Sequence, residues 1–256
     1  MHDQRSYALR DSLEQLHRTA TLVRDQISHD AWRMLNALHI DRRWRQPRRA
    51  GLAWPLLELL DDGIRALNAF SGTEAENMTR NFAWRFLEIG RRIERSRQLS
   101  ELTRELICGE AAAPENDGSL RLLLELGDSY MTYRSRYLIT PLTAPVVDLL
   151  LLDETNPRGI AFQLRELDEH FALLPSEGPH RSPGQRLILR LLTGVRLAEV
   201  EDLCKGDETG RLSRLDQLLT ELMEGLPQLS DVIGRSYFAH AETPVATLVM
   251  RRRDEP

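Results

Sequence analysis

Lysine is all but missing from this chain, where Lys205 stands alone against 33 arginines. GC-rich codon usage would replace lysine in that way. So would a demand for guanidinium groups, which grip carboxylates and phosphates bidentately where an ammonium cannot. Cysteine is scarce too. Cys108 and Cys204 lie far apart with no CxxC step and no histidine at metal-ligand spacing, which excludes a disulfide framework and a zinc site and predicts two free thiols in a reducing cytoplasm. His17, His29, His39, His170, His180 and His240 form no HExxH or other paired metal spacing. The chain has no GxGxxG, Walker A or GxSxG sequence and no ExxH pairs of the di-iron bundle kind, so neither a nucleotide cradle nor a metal or other cofactor is expected. Long apolar runs are also absent. The leucines of 149–152 are far too few to span a bilayer, and the opening Met1-His2-Asp3-Gln4-Arg5 lacks the apolar core of a signal peptide. A cytoplasmic protein without a membrane partner is the expectation.

What is present is a normal globular balance of 256 residues, 41% apolar and 29% charged, enough for one large helical domain or two smaller ones. The net charge of −5 argues against a dedicated nucleic-acid binder. Basic residues do gather at Arg42-Arg43-Trp44-Arg45-Gln46-Pro47-Arg48-Arg49. Pro47 and Gly51 interrupt any helix there, which predicts a solvated loop, with a phosphate or nucleic-acid patch as the sharper alternative.

No stretch alternates as a strand would, and the periodicity predicts an all-α bundle of about eight mostly antiparallel helices. Leu9, Leu13, Leu16, Ala20, Val23 and Ile27 step along a first helix over 7–38, and Leu56, Leu59, Leu60, Ile64 and Leu67 along a second over 55–70. Ser71-Gly72 should end that one, and Thr73 with Glu76 reads as a capping box opening the next. That third helix, over 77–98, carries Met78, Phe82, Phe86, Ile89 and Ile93 on one face. Further helices are expected over 120–138, 144–152, 160–173, 187–203, 212–226 and 230–240. Residues 1–242 then form a single helical domain, weakly divided near 175–183, and 243–256 a flexible basic tail.

Three constellations carry possible chemistry. On the 77–98 helix, Glu88 stands four residues before Arg92, Arg91 three before Glu94 and four before Arg95, spacings that place them on neighbouring turns. A surface ladder of weak ion pairs would explain this arrangement. Gly90 argues for more, because a mid-helix glycine costs about 1 kcal/mol relative to alanine and is easier to understand where a helix or ligand approaches closely. A buried structural network and a ligand site both fit. The second constellation sets Tyr130, Tyr133, Arg134 and Tyr137 on one helical face, either as core tyrosines with their hydroxyls bonded outward or as a binding box for an anion. In the third, Asp148 is flanked by apolar residues and needs a cation or several donors, while Asp153-Glu154-Thr155-Asn156-Pro157-Arg158 forms a turn of the kind that presents functional groups.

These segments resemble one family. Arg80 leading into Trp84-Arg85-Phe86-Leu87-Glu88-Ile89-Gly90-Arg91-Arg92-Ile93-Glu94-Arg95, Ser129-Tyr130 through Arg136-Tyr137, and Val147-Asp148 through Asn156-Pro157-Arg158 are similar to the motifs of the bacterial alpha-E family, and Tyr237-Phe238-Ala239-His240 is similar to its C-terminal end. The likeness spans about 12–240. Family members usually open with a further helix bearing its own Glu-Arg motif, which is lacking here, as in a truncated start or a separated part of a longer protein. The resemblance implies a circularly permuted ATP-grasp protein as partner, encoded alongside or fused, often with a transglutaminase-like protease nearby. It therefore implies a role in ATP-dependent amide or peptide ligation, without naming catalytic residues. Three functions follow as expectations: an accessory domain whose Arg-rich face holds an acidic substrate, a phosphate intermediate or the ligase; an enzyme of amide formation or cleavage using Glu88, Glu94 or Asp148; or a homo-oligomerisation module.

Overall fold

Apolar stripes at three- and four-residue spacing, cut by turn-forming residues, should fold as helices throughout. In the computed structural model, which describes residues 9–45, 53–109, 117–137, 140–175 and 180–238, the described residues form eleven α-helices and no strand. The chain divides into two compact units between Trp84 and Arg85.

In the first unit α1 (Leu9–Leu22), α2 (His29–Ile40) and α3 (Ala53–Asn77) pack in succession, burying Leu13, Ala20, Ala31, Leu35, Leu38 and Leu59. The single helix expected over 7–38 is thus two. Residues 23–28 turn, and the Ser28 hydroxyl caps α2 by accepting from the Ala31 N–H at 3.1 Å, which lets α2 fold back so that His39 stacks on His17 at 3.9 Å. Conversely, α3 runs straight through Ser71-Gly72 and the expected capping box. Thr73 there faces the Met34 sulfur at 3.9 Å and Glu74 is buried, so packing outweighs the modest cost of a glycine. The real break lies at 78–81. Arg80 donates to the Met78 carbonyl at 3.0 Å and to that of Ala75, and stacks on Trp84, satisfying carbonyls left open at the end of α3. In the basic 42–49 stretch, Arg43 is held by Asp41 at 2.7 Å and Asp62 at 3.0 Å, while residues 46–52 lie outside the described residues.

Asn81 accepts from the Trp84 N–H at 3.2 Å and so opens α4 (Phe82–Thr103), which begins five residues later than the pattern suggested and leaves Phe82 half exposed. Along α4 the buried face runs through Ile89, Ile93, Ser96, Leu99, Ser100 and Thr103. Ser100 and Thr103 among these satisfy themselves by donating to the Ser96 and Leu99 carbonyls. A π turn, Arg104–Cys108, prolongs α4.

The rest of the second unit comprises α5 (Asp117–Leu126), α6 (Tyr130–Arg136), α7 (Thr143–Val147), α8 (Ile160–Ala172), α9 (Pro183–Arg196), α10 (Val200–Leu203) and α11 (Ser213–Ile233). Helix α9 packs against both α8 and α11 over a core in which Leu149, Leu150 and Leu151, on a π turn continuing α7, are fully buried. The helix expected over 120–138 divides at Gly127-Asp128-Ser129, where Asp128 takes the left-handed conformation (φ 48°) that ends a helix, and Leu138 itself lies outside the described residues. That expected over 187–203 divides as well, opened by a Ser182–Gln185 capping box. Helix α11 continues through Pro227 into a π turn, Gly234–Phe238, so no separate helix begins at Ser230. Residues 176–179 of the candidate linker, Ala239-His240, and the tail of 243–256 lie outside the described residues. Burial pushes the Cys108 thiol up to about 12 and that of Cys204 up to about 11, so both stay protonated at neutral pH.

Candidate functional site

Spacing on α4 sets the first layer of the site. Glu88 receives Arg91 at 2.9 Å from one side and Arg92 at 3.1 Å from the other. Arg92 also reaches Glu166 at 3.0 Å and donates to the Gln163 amide oxygen at 3.1 Å, both on α8. Glu166 is shared with Arg165 at 2.8 Å, and both arginines lie over the Phe162 ring. Gln163 is fully buried and donates to the Pro157 carbonyl at 2.5 Å, tying this network to the 153–158 turn. These α8 residues were missed in the sequence. Their signal was there, since Gln163, Glu166 and His170 recur at spacings of three and four and so share a face.

His170 is buried beside the network. Burial lowers its pKa from the usual 6.5, followed by the charge of Arg92, with Arg85 adding to it. The folded state therefore resists protonation that the unfolded chain accepts, and stability contributed above 6.5 is lost as pH falls below it. Urea midpoints of the His170→Gln variant are expected to fall less between pH 7 and pH 5 than those of the unaltered chain.

Arg95 behaves differently from its neighbours. Its sequence neighbour Glu94 points outward to Arg97 at 3.1 Å, on an exposed face. Arg95 itself is partly buried and makes no hydrogen bond or ion pair among the described residues. Burial, then Arg158, Arg91 and Arg92, push its pKa down. Arg158 in turn meets Asp128 at 2.6 Å.

Gly90 does not mark a close approach. It is exposed, and a Cβ added there would meet nothing within 4 Å. Gly90→Ala is therefore expected to stabilise the fold by up to about 1 kcal/mol, read as a raised urea midpoint at unchanged slope.

The other two constellations are built into the fold. Tyr133 is fully buried; its hydroxyl accepts from the Leu142 N–H at 3.0 Å and donates to the Thr140 carbonyl at 3.4 Å. Tyr137 donates to Asp148 at 2.9 Å, and burial first, then that carboxylate, pushes its phenol up to about 12. Tyr130 is flanked by Arg121 and Arg134, the latter at 6.0 Å from its ring. In the 153–158 turn, Asp153 accepts from the Thr155 N–H and hydroxyl and holds Arg136. Glu154 is gripped by both arms of Arg196. Asn156 is buried, donating to the Leu149 carbonyl at 2.9 Å and the Ser129 hydroxyl at 3.2 Å while accepting from the Arg158 N–H at 3.1 Å. Gly159 follows because a Cβ there would lie 3.2–3.3 Å from the carbonyl oxygens of Leu149, Asn156 and Asp153.

Glu88, Arg91, Arg92, Arg95 and Arg158 thus come together, whereas Glu94, Arg134 and Asp148 each engage separate partners. Among the described residues no group of three or more His, Cys, Asp or Glu side chains is placed to hold a metal ion. No described helix is long and apolar enough to cross a membrane.

Residues 1–238 match a family described as a predicted alpha-helical domain with a conserved ER motif, Alpha-E. The chain belongs to the Alpha-E family. Read as an adjacent pair, that motif can only be Glu94-Arg95, the one Glu-Arg step in the sequence. Uncharacterized proteins of Mycobacterium bovis and of two Mycobacterium tuberculosis strains are each 26% identical to this Alpha-E chain over 235 residues, which is 91% of it and 26% of them. The chain therefore spans about a quarter of the length of the curated relatives it matches. No solved structure matches it.

Proposed function

We propose that this Alpha-E chain is an accessory or partner domain of an ATP-grasp-type amide or peptide ligation system, working in the cytoplasm, and that the arginine face of α4 is its binding surface. The surface engages an anionic group carried by the substrate, by a phosphate intermediate or by the ligase. One observation carries the reading: Arg95 is kept partly buried among cations and makes no hydrogen bond or ion pair among the described residues. Relatives about four times as long fit a domain that works beside others. The carboxylates favour an acid–base enzyme less, because Glu88 is tied to two arginines, Glu94 is exposed against Arg97 and Asp148 accepts from Tyr137.

Co-purification with a circularly permuted ATP-grasp protein encoded alongside tests this. A complex at micromolar concentration and faster ligase turnover are expected, both weakened by Arg91→Ala with Arg95→Ala while helicity by circular dichroism is kept. The reading is overturned if no complex forms and ligase turnover does not change.

A further inference from the structure

A guanidinium drawn out of water is normally matched by a carboxylate, since an unmatched cation loses hydration that its surroundings do not return. Around Arg92 two carboxylates and an amide supply that matching through Glu88, Glu166 and Gln163, and only its Nε is left without a partner. Arg158 has Asp128, and Arg165 shares Glu166. Arg95 makes none of these direct contacts; the guanidiniums of Arg158, Arg91 and Arg92 oppose its protonated form, and of the charges acting on it Glu88 alone favours that form. Leucine or methionine would fill such a helix face without the penalty.

The positions suit one kind of ligand. Arg91 precedes Arg95 by four residues, so the two guanidiniums project from neighbouring turns of one face. Arg158 belongs to a turn whose backbone is pinned by Asn156, so its approach is set before any ligand arrives. The cations here outnumber Glu88, Glu166 and Asp128 by two, more charge than a single carboxylate neutralises. Forked donors from several directions suit a tetrahedral oxyanion.

We propose that Arg95, flanked by Arg91 and Arg158, is the centre of an oxyanion site for a phosphate-type dianion. The proposal rests on the reading that the α4 arginine face is the working surface, and it narrows the anion to phosphate chemistry. Free phosphate and a phosphate group borne on a larger molecule are the two sources.

Calorimetric titration of the full chain at constant ionic strength, with inorganic phosphate, phenyl phosphate and acetate as probes, tests it. Phosphate or its ester is expected to bind about tenfold or more tightly than acetate, and Arg95→Gln to weaken that binding about tenfold. Preference for phenyl phosphate over inorganic phosphate points to a borne group, and the reverse to the free ion. Arg95→Lys, which keeps the charge and loses the fork, should fall between, and Arg97→Gln, whose partners are Glu94 and Glu101, should bind as the unaltered chain does. Equal binding of phosphate and acetate, or phosphate binding indifferent to Arg95, overturns the proposal. Phosphate binding without an ATP-grasp complex would remove the partnership and leave this site standing. A complex that forms without phosphate binding would do the opposite.

Discussion

Replacing Asn156 by alanine is expected to destabilise the second unit by about 3 kcal/mol, because three bonds at a buried position are lost together and each buried partner left open adds its own cost. The Leu149 carbonyl is the worst affected. It sits in the π turn of 148–152, where the helix ladder is already irregular, and it depends on the Asn156 amide for a donor. Asn156→Asp should cost at least as much, since a carboxylate would face that carbonyl without a proton to offer. Urea unfolding followed by circular dichroism checks both, and a loss under about 1 kcal/mol would mean that water replaces the side chain. Phosphate binding should weaken in parallel, because Arg158 is set by the same turn.

Arg92→Met is the second large effect, expected to cost about 2 kcal/mol. Removing the guanidinium leaves Glu88 and Glu166 facing each other across α4 and α8 with their shared cation gone, and leaves the buried Gln163 oxygen without a donor. The cost is set below that of a fully buried pair because the three charged side chains remain 13–22% exposed. Adding Glu166→Gln should recover part of it, and a double-mutant cycle reads the coupling directly.

The apolar stripe of α4 was legible in the sequence because its period is local, and Ile89 and Ile93 are buried as their spacing implied; the stripes expected over 7–38 and 55–70 were less so, since Leu9, Val23, Ile64 and Leu67 are exposed. Helix ends were less legible. Ser28 caps a helix while the better-looking Thr73/Glu76 box does not, since packing on α2 decides the second case and local chemistry the first. On α4 the pairs within one helix could be read, whereas the bond from Arg92 to Gln163 joins residues 71 apart and is visible only in the fold. Gly90 misled because a glycine signals freedom of approach without showing that anything approaches, and the residues α4 buries include Ser96, Ser100 and Thr103 instead. Glu94 and Arg95, adjacent in sequence, part because successive helical residues point about 100° apart, one to solvent and one towards the arginine cluster.

The central claim is that the arginines of α4 divide into one that holds the fold and one that waits on a ligand. Unfolding free energies of Arg92→Met and Arg95→Met, measured side by side in urea without phosphate, test that division. Arg92→Met should lose about 2 kcal/mol, while Arg95→Met should match or exceed the unaltered chain, since an unmatched charge has been replaced by an apolar side chain of similar reach. An Arg95→Met loss as large as that of Arg92→Met would show Arg95 to be another strut of the fold and would contradict the account.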